Sequence, residues 1–305
     1  MAVVDLGSNT TRVLVADIVD GRVVELERRT TVTRLGEKVD STGRLADGAI
    51  DRVTKVLAEY RAVIDELGPE RTVALATSAV RDAENGPEFR QLLHDRFGID
   101  VEIIPGEEEA RLTFLGATAA REPGDGPLAV IDIGGGSTEF VAGRAGEDPS
   151  FRVSTQAGSV RQTERHLADD PPKPEQLNAL RAEVREIVAG AVPEEVRRSA
   201  KALIAVAGTA TSLAAIDQRL VPYDPERVQG YALKAVACDR MLADLAAIPL
   251  EERRRVPGLH PDRAPTIVAG AAILVESMRL FGVASVEVSE ADILHGAALE
   301  AAFRG

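Results

Sequence analysis

The distribution of apolar positions divides the chain into two passes of similar layout. Residues 2–6, 11–19 and 22–33 are Val- and Thr-rich runs separated by short turns, a pattern that predicts three successive strands. Asp20-Gly21 marks the tight turn between the second and third. Residues 46–67 then place Ile50, Val53, Val56, Leu57, Tyr60, Ile64 and Leu67 at helical spacing, and Gly68-Pro69 ends the run. A short apolar strand at 71–76, a helix at 87–97, a strand at 100–104 and a helix at 107–120 follow. A meander succeeded by alternating helices and strands predicts an α/β layer architecture.

Pro123-Gly124-Asp125-Gly126-Pro127 interrupts the pattern, which then begins again. Strands are expected at 128–133, 138–143 and 151–155, and helices at about 174–190, 194–199, 209–217, 235–247 and 263–281. The restart carries a repeated loop. Val3-Val4-Asp5-Leu6-Gly7-Ser8-Asn9-Thr10 is matched by Val130-Ile131-Asp132-Ile133-Gly134-Gly135-Gly136-Ser137, and each copy re-enters an apolar strand. That is the mark of a duplicated domain. Gly- and Ser-rich turns present backbone N–H groups to an anion, so Gly7, Ser8, Asn9, Thr10 and Gly134, Gly135, Gly136, Ser137 are candidate phosphate ligands. Gly208-Thr209, after the apolar run 203–207 and at the start of a helix, is a third anion site of ordinary type.

Composition narrows the chemistry. Of 305 residues, 45% are apolar but only 3% aromatic, with no Trp, so stacking of bases on an aromatic platform is a poor reading. A formal net charge of −13 opposes a general nucleic-acid or anionic-membrane surface. It leaves room for a phosphate ligand held by backbone amides, a divalent metal and local arginines, for which Arg81, Arg253 to Arg255 and Arg263 are available. Cys238 is the sole cysteine and reads as a buried structural thiol. His94, His166, His260 and His295 share no motif, which disfavours a zinc site and a phosphohistidine intermediate. No signal peptide or membrane span is expected, which points to the cytoplasm, and there is no G-x-x-x-x-G-K-[ST] loop. Asp132 and Glu139 flank the second loop and offer hard oxygen ligands for Mg²⁺ or Mn²⁺, with Asp5 the symmetric candidate. The first copy carries Arg12 where the second carries Glu139, so one half is expected to bear metal and the other to cradle phosphate.

Five ordered motifs carry a family resemblance. They are Asp5–Thr10, Ala76–Asn85, Gly106–Leu112, Asp132–Glu139 and Gly208–Thr211. Together they resemble the exopolyphosphatase/guanosine pentaphosphate phosphohydrolase (Ppx/GppA) family in its short two-domain form. The resemblance implies two ribonuclease H-like domains of the actin, sugar-kinase and Hsp70 type around a central cleft, with a last helix returning to the first domain. The expected division is 1–120 with 290–305, and 121–289. It implies Glu109 as the catalytic glutamate and Arg81 as a phosphate ligand. Water held in line at a terminal phosphoryl needs a base to take its proton, and a carboxylate near a helix N-terminus suits that task. Inorganic polyphosphate and guanosine penta- or tetraphosphate are the implied partners, and a homodimer is allowed. A phosphotransferase of the same superfold, a nucleotide-gated filament or a non-catalytic nucleotide sensor are the competing readings. Asn85, in the same motif as Arg81, is open to two readings in equal measure, a place beside the phosphate or the cap of the helix that follows it.

Overall fold

The computed structural model describes residues 1–122 and 126–303. Pro123, Gly124 and Asp125 of the expected break lie outside the described residues. The chain divides into two compact units, Met1–Ala120 with Asp292–Gly305, and Arg121–Ala291.

Unit 1 is built on five strands, β1 (Ala2–Leu6), β2 (Thr10–Val19), β3 (Arg22–Val32), β4 (Thr72–Ala76) and β5 (Val101–Ile103), in the order β3-β2-β1-β4-β5. The first three form an antiparallel meander, and β4 and β5 run parallel to β1, which is ribonuclease H-like topology. Asp20 and Gly21 both take positive φ, 50° and 73°, as a two-residue hairpin turn requires. Side-chain alternation sorts the two faces. Ala2, Val4, Leu6, Val13 and Val15 pack with Val53, Leu57 and Tyr60 of the helix Asp47–Leu67. Val3 and Leu14 turn to the opposite face, with Leu112 of the helix Gly106–Thr118 and Ile293, Leu294 and Ala298 of the helix Ile293–Phe303. Those two helices cross at glycines. A Cβ on Gly116 would lie 2.0 Å from the Asp292 carbonyl oxygen, and one on Gly296 would lie 1.8 Å from that of Leu112. Arg111 bridges the same pair, bonding Glu108 on one helix at 2.7 Å and Glu300 on the other at 2.9 Å.

Unit 2 repeats the plan with β6 (Leu128–Ile133), β7 (Thr138–Gly143), β8 (Phe151–Thr155), β9 (Ala202–Val206), β10 (Ala232–Lys234) and β11 (Ser285–Val288). Its order is β10-β11-β9-β6-β7-β8, so 8-7-6-9-11 reproduces 3-2-1-4-5 and β10 is an added antiparallel edge. The core gathers Ala129, Ile131, Ile133 and Phe140 with the apolar face of the helix Ile267–Phe281. Glu276 of that helix is buried and bonded by Arg181, Arg185 and Arg279 at 2.7, 3.0 and 2.9 Å. Cys238 is buried in the same core, as expected, and burial pushes its thiol up to about 12. No helix among the described residues is long and apolar enough to cross a membrane.

The expected strands and long helices are present with ends shifted by a few residues. The expected helix at 263–281 begins instead at Ile267, after a short 3₁₀ turn at Pro261–Arg263. Sequence reasoning passed over β10 and β11, of 3 and 4 residues, and the short helices Ser78–Asp82 and Ser159–His166.

Candidate functional site

The two repeated loops are closed by the same hydrogen bond. Gly7 N–H donates to the Thr10 carbonyl and Gly134 N–H to the Ser137 carbonyl, both at 3.0 Å. Both loops connect β-strands paired residue for residue, so what flanks them is directly comparable.

In unit 2, Asp132 of β6 is the register partner of Glu139 of β7, and Glu139 is the partner of Ser154 of β8. Directly opposite residues share a face. These lie opposite the face of Ile131, Ile133 and Phe140, so the two carboxylates are neighbours. Both are buried, at 6% and 1% exposure, and Ser154 Oγ donates to Glu139 Oε1 at 2.7 Å. The loop's carbonyls are occupied by the start of the helix Ser159–His166. Ser159 N–H donates to the Gly134 carbonyl at 2.9 Å, Val160 N–H to that of Gly135 at 2.8 Å, and Arg161 Nε to that of Gly136 at 2.9 Å. A Cβ on Gly158 would lie 2.2 Å from the Gly135 carbonyl oxygen, so only glycine lets the helix dock there. None of the Gly135, Gly136 and Ser137 amides donates to backbone among the described residues. Carbonyls held on one side leave the amides to serve an anion.

In unit 1 the same positions carry different chemistry. Asp5 of β1 is the register partner of Arg12 of β2. Arg12 Nε donates to Asp5 Oδ2 at 2.8 Å, and its Nη1 pairs with Asp292, whose Oδ1 accepts from Leu294 N–H at the start of the last helix. Burial pushes the Asp5 carboxyl above the usual range despite Arg12. Burial alone would raise Asp292 too, but Arg12, His295 and the Leu294 N–H hold it below that range. Asp5 is thus engaged by a cation of the protein itself. Ser8 is engaged as well: its Oγ accepts from Ala79 N–H at 3.1 Å and its carbonyl from Gly36 N–H at 2.7 Å. Asn9 is buried, with its carbonyl taken by Thr33 and Arg34 N–H at 3.0 Å.

The three consecutive glutamates of the helix Gly106–Thr118 separate as helical geometry dictates. Glu107 is exposed and Glu108 turns to Arg111. Glu109 is buried, at 9% exposure, and its Oε2 accepts from Arg81 Nη1 at 3.2 Å. The same Nη1 donates to the Ile104 carbonyl at 3.0 Å. The structure therefore brings Glu109 and Arg81 together, a contact the sequence did not announce because they lie on separate helices. Asn85 occupies the N-cap position of the helix Gly86–Phe97 without capping it: its side chain bonds Leu45 N–H at 2.8 Å and the Leu45 carbonyl at 3.0 Å. Bridging a distant loop wins over the local cap.

Gly208 and Thr209 open the helix Ala207–Asp217 directly after β9. Ala207 takes φ 62°, an uncommon conformation for a residue with a Cβ. A Cβ on Gly208 would lie 1.5 Å from Arg263 Nη1, so the guanidinium rests against this helix start. Arg253 is tied to protein acceptors: it is buried and donates to the carbonyls of Leu245, Ile248 and Ala264 and to Asp170. Among the described residues no group of three or more His, Cys, Asp and Glu gathers as a metal cage. A Mg²⁺ shell of one or two carboxylates completed by water and phosphate oxygens does not require one, and the Asp132–Glu139 pair fits that donor set.

Residues 14–303 match the profile of the Ppx/GppA phosphatase family. The chain is 35% identical to exopolyphosphatase 2 of Mycobacterium tuberculosis, over 99% of this chain and 98% of that one. It resembles the solved structure of the Aquifex aeolicus Ppx/GppA family member, with a TM-score of 0.83 and 32% identity over 99% and 97% of the two chains. An exopolyphosphatase from Cytophaga hutchinsonii superposes with a TM-score of 0.89 at 27% identity, covering 98% and 97%.

Proposed function

The chain belongs to the Ppx/GppA phosphatase family, and from that premise we propose that it hydrolyses the terminal phosphoanhydride of inorganic polyphosphate. Guanosine pentaphosphate, which ends in the same anhydride, is proposed as a second substrate of the same chemistry. The observation that carries the reading is the buried Glu109, set in the first turn of its helix against Arg81. Its Oε atoms take the proton of the attacking water, while the phosphoryl passes through a transition state stabilised by charge and position.

The amides of Gly135, Gly136 and Ser137, the loop 7–10, Arg81 and the Gly208–Thr209 helix start hold phosphate oxygens. Support for the last comes from Arg263, whose guanidinium adds positive charge to that helix start. Asp132 and Glu139 would hold Mg²⁺. When bound, the metal neutralises charge on the phosphate oxygens. Asp5, committed to Arg12, is left out of the metal shell in this reading.

The test is orthophosphate release from short polyphosphate, long polyphosphate and guanosine pentaphosphate, each with and without Mg²⁺. A Glu109→Gln protein that folds is expected to lose at least about a hundredfold in kcat. Full release by that variant would remove Glu109 from the mechanism.

A further inference from the structure

A base must be ionised at working pH to accept a proton, yet burial disfavours the charged carboxylate. Glu109 is nine-tenths buried, so something on the protein must hold it ionised and aimed. Charged groups stand near it on its own helix and on the helix Ser78–Asp82. On its own helix, Glu107 is exposed and Glu108 is bonded to Arg111, which also bonds Glu300 of the last helix. On the helix Ser78–Asp82, Asp82 Oδ1 lies 3.9 Å from Arg81 Nε and its Oδ2 accepts from Ser78 Oγ at 3.3 Å. Arg81 supplies the cation. Its Nη1 is shared between Glu109 Oε2 at 3.2 Å and the Ile104 carbonyl at 3.0 Å. That carbonyl belongs to the backbone just past β5, so the guanidinium is anchored to the end of the sheet as well as to the carboxylate.

We propose that Arg81 is the positioning residue of Glu109: pinned by the Ile104 carbonyl, it fixes the carboxylate in place and keeps it charged, in addition to any grip on phosphate. The inference rests on reading Glu109 as the base. A residue that only gripped phosphate equally in ground and transition states would change KM and leave kcat alone. A residue that tunes the base moves the acid limb of the kcat–pH profile, which reports groups in the substrate complex.

The experiment measures kcat and KM for Mg²⁺-dependent phosphate release from polyphosphate, from pH 5 to 9, in the wild type, Arg81→Met and Arg81→Lys. Arg81→Met is expected to shift the acid limb of kcat upward by about one to three pH units. Arg81→Lys keeps a positive charge, but its stem is one bond shorter than the reach to Nη1 and its head lacks the fixed planar geometry of the guanidinium, so its limb should move by less than that of Arg81→Met while kcat falls. Should Arg81→Met not fold, Arg81→Lys carries the test alone: a lowered kcat together with an acid limb moved upward supports the proposal, and a lowered kcat with an unmoved limb overturns it, because a ligand of the transition-state phosphoryl would give that result by itself. A raised KM with unchanged kcat and an unmoved limb, in either variant, overturns it. That outcome leaves the base reading intact, which fails only if Glu109→Gln retains full kcat.

Discussion

Asp132 and Glu139 are direct cross-strand partners, both buried on one face of the β6–β7 hairpin. The equivalent pair in unit 1 is Asp5 and Arg12. One duplicated hairpin thus carries two acidic side chains in one copy and an ion pair in the other. When both carboxylates are ionised, a divalent cation bound to them offsets their repulsion across the strands, a gain the Asp5–Arg12 copy does not share. Mg²⁺ is expected to raise the thermal midpoint of the wild type, and Asp132→Asn or Glu139→Gln to raise the Mg²⁺ needed for half-maximal phosphate release by about tenfold or more. Unchanged Mg²⁺ dependence in both variants would dismiss this assignment.

Arg12 offsets two buried carboxylates, Asp5 and Asp292, and through Asp292 ties the first loop's strand to the start of the last helix. Removing one member of a buried charge network leaves the others uncompensated. Arg12→Met is expected to lower unfolding stability in urea by about 3–5 kcal/mol. A loss under about 1 kcal/mol would mean the network behaves like an exposed salt bridge.

The crossing at Gly116 and Gly296 makes a sharper demand, because the atoms a methyl group would meet are backbone oxygens that cannot rotate away. Gly116→Ala and Gly296→Ala should each cost at least about 1–3 kcal/mol by overpacking. Gly190, in the helix Pro174–Ala191, has open space where its Cβ would stand. Gly190→Ala should therefore add about 0.5–1 kcal/mol from helix propensity. Circular dichroism melts of the three variants check the contrast, and equal behaviour would refute it.

The repeat was legible because it rests on local periodicity, and three consecutive helical residues separate by helical angle alone; the strand order was implied only by the family resemblance. Glu109 is the one of the three that is buried, the glutamate that the resemblance, not the spacing, singled out. What could not be read arises from pairing over distance. The sequence offers Ser8 as a phosphate ligand, but its hydroxyl accepts from Ala79 N–H, 71 residues away. Arg12 meets Asp292 across 280 residues. Gly158 belongs to none of the sequence motifs; its importance is the approach of one backbone to the Gly135 carbonyl, which no one-dimensional pattern encodes. The short strands β10 and β11 escaped because three or four residues carry too little alternation to stand out from a loop.

Glu276 offers a pH test remote from the proposed chemistry. Burial would raise its carboxyl, but Arg181 and Arg185 bond it and hold it below its usual value of 4.5. Its side chain is 1% exposed, while Arg185 and Arg279 are about half exposed, so solvent screens part of the attraction. A carboxyl held low in the folded state means that the unfolded chain binds the proton first. Its contribution is therefore complete above pH 4.5 and is lost as pH falls through the lower folded value. Urea midpoints of the wild type and Glu276→Gln, measured from pH 7 to pH 3, should differ by about 1–3 kcal/mol at neutrality, the scale of hydrogen bonds to a charged group. The gap should close towards pH 3 as the wild type gains the proton the variant never needed. A gap that stayed constant across the range would show that the arginines act on Glu276 by packing rather than by charge.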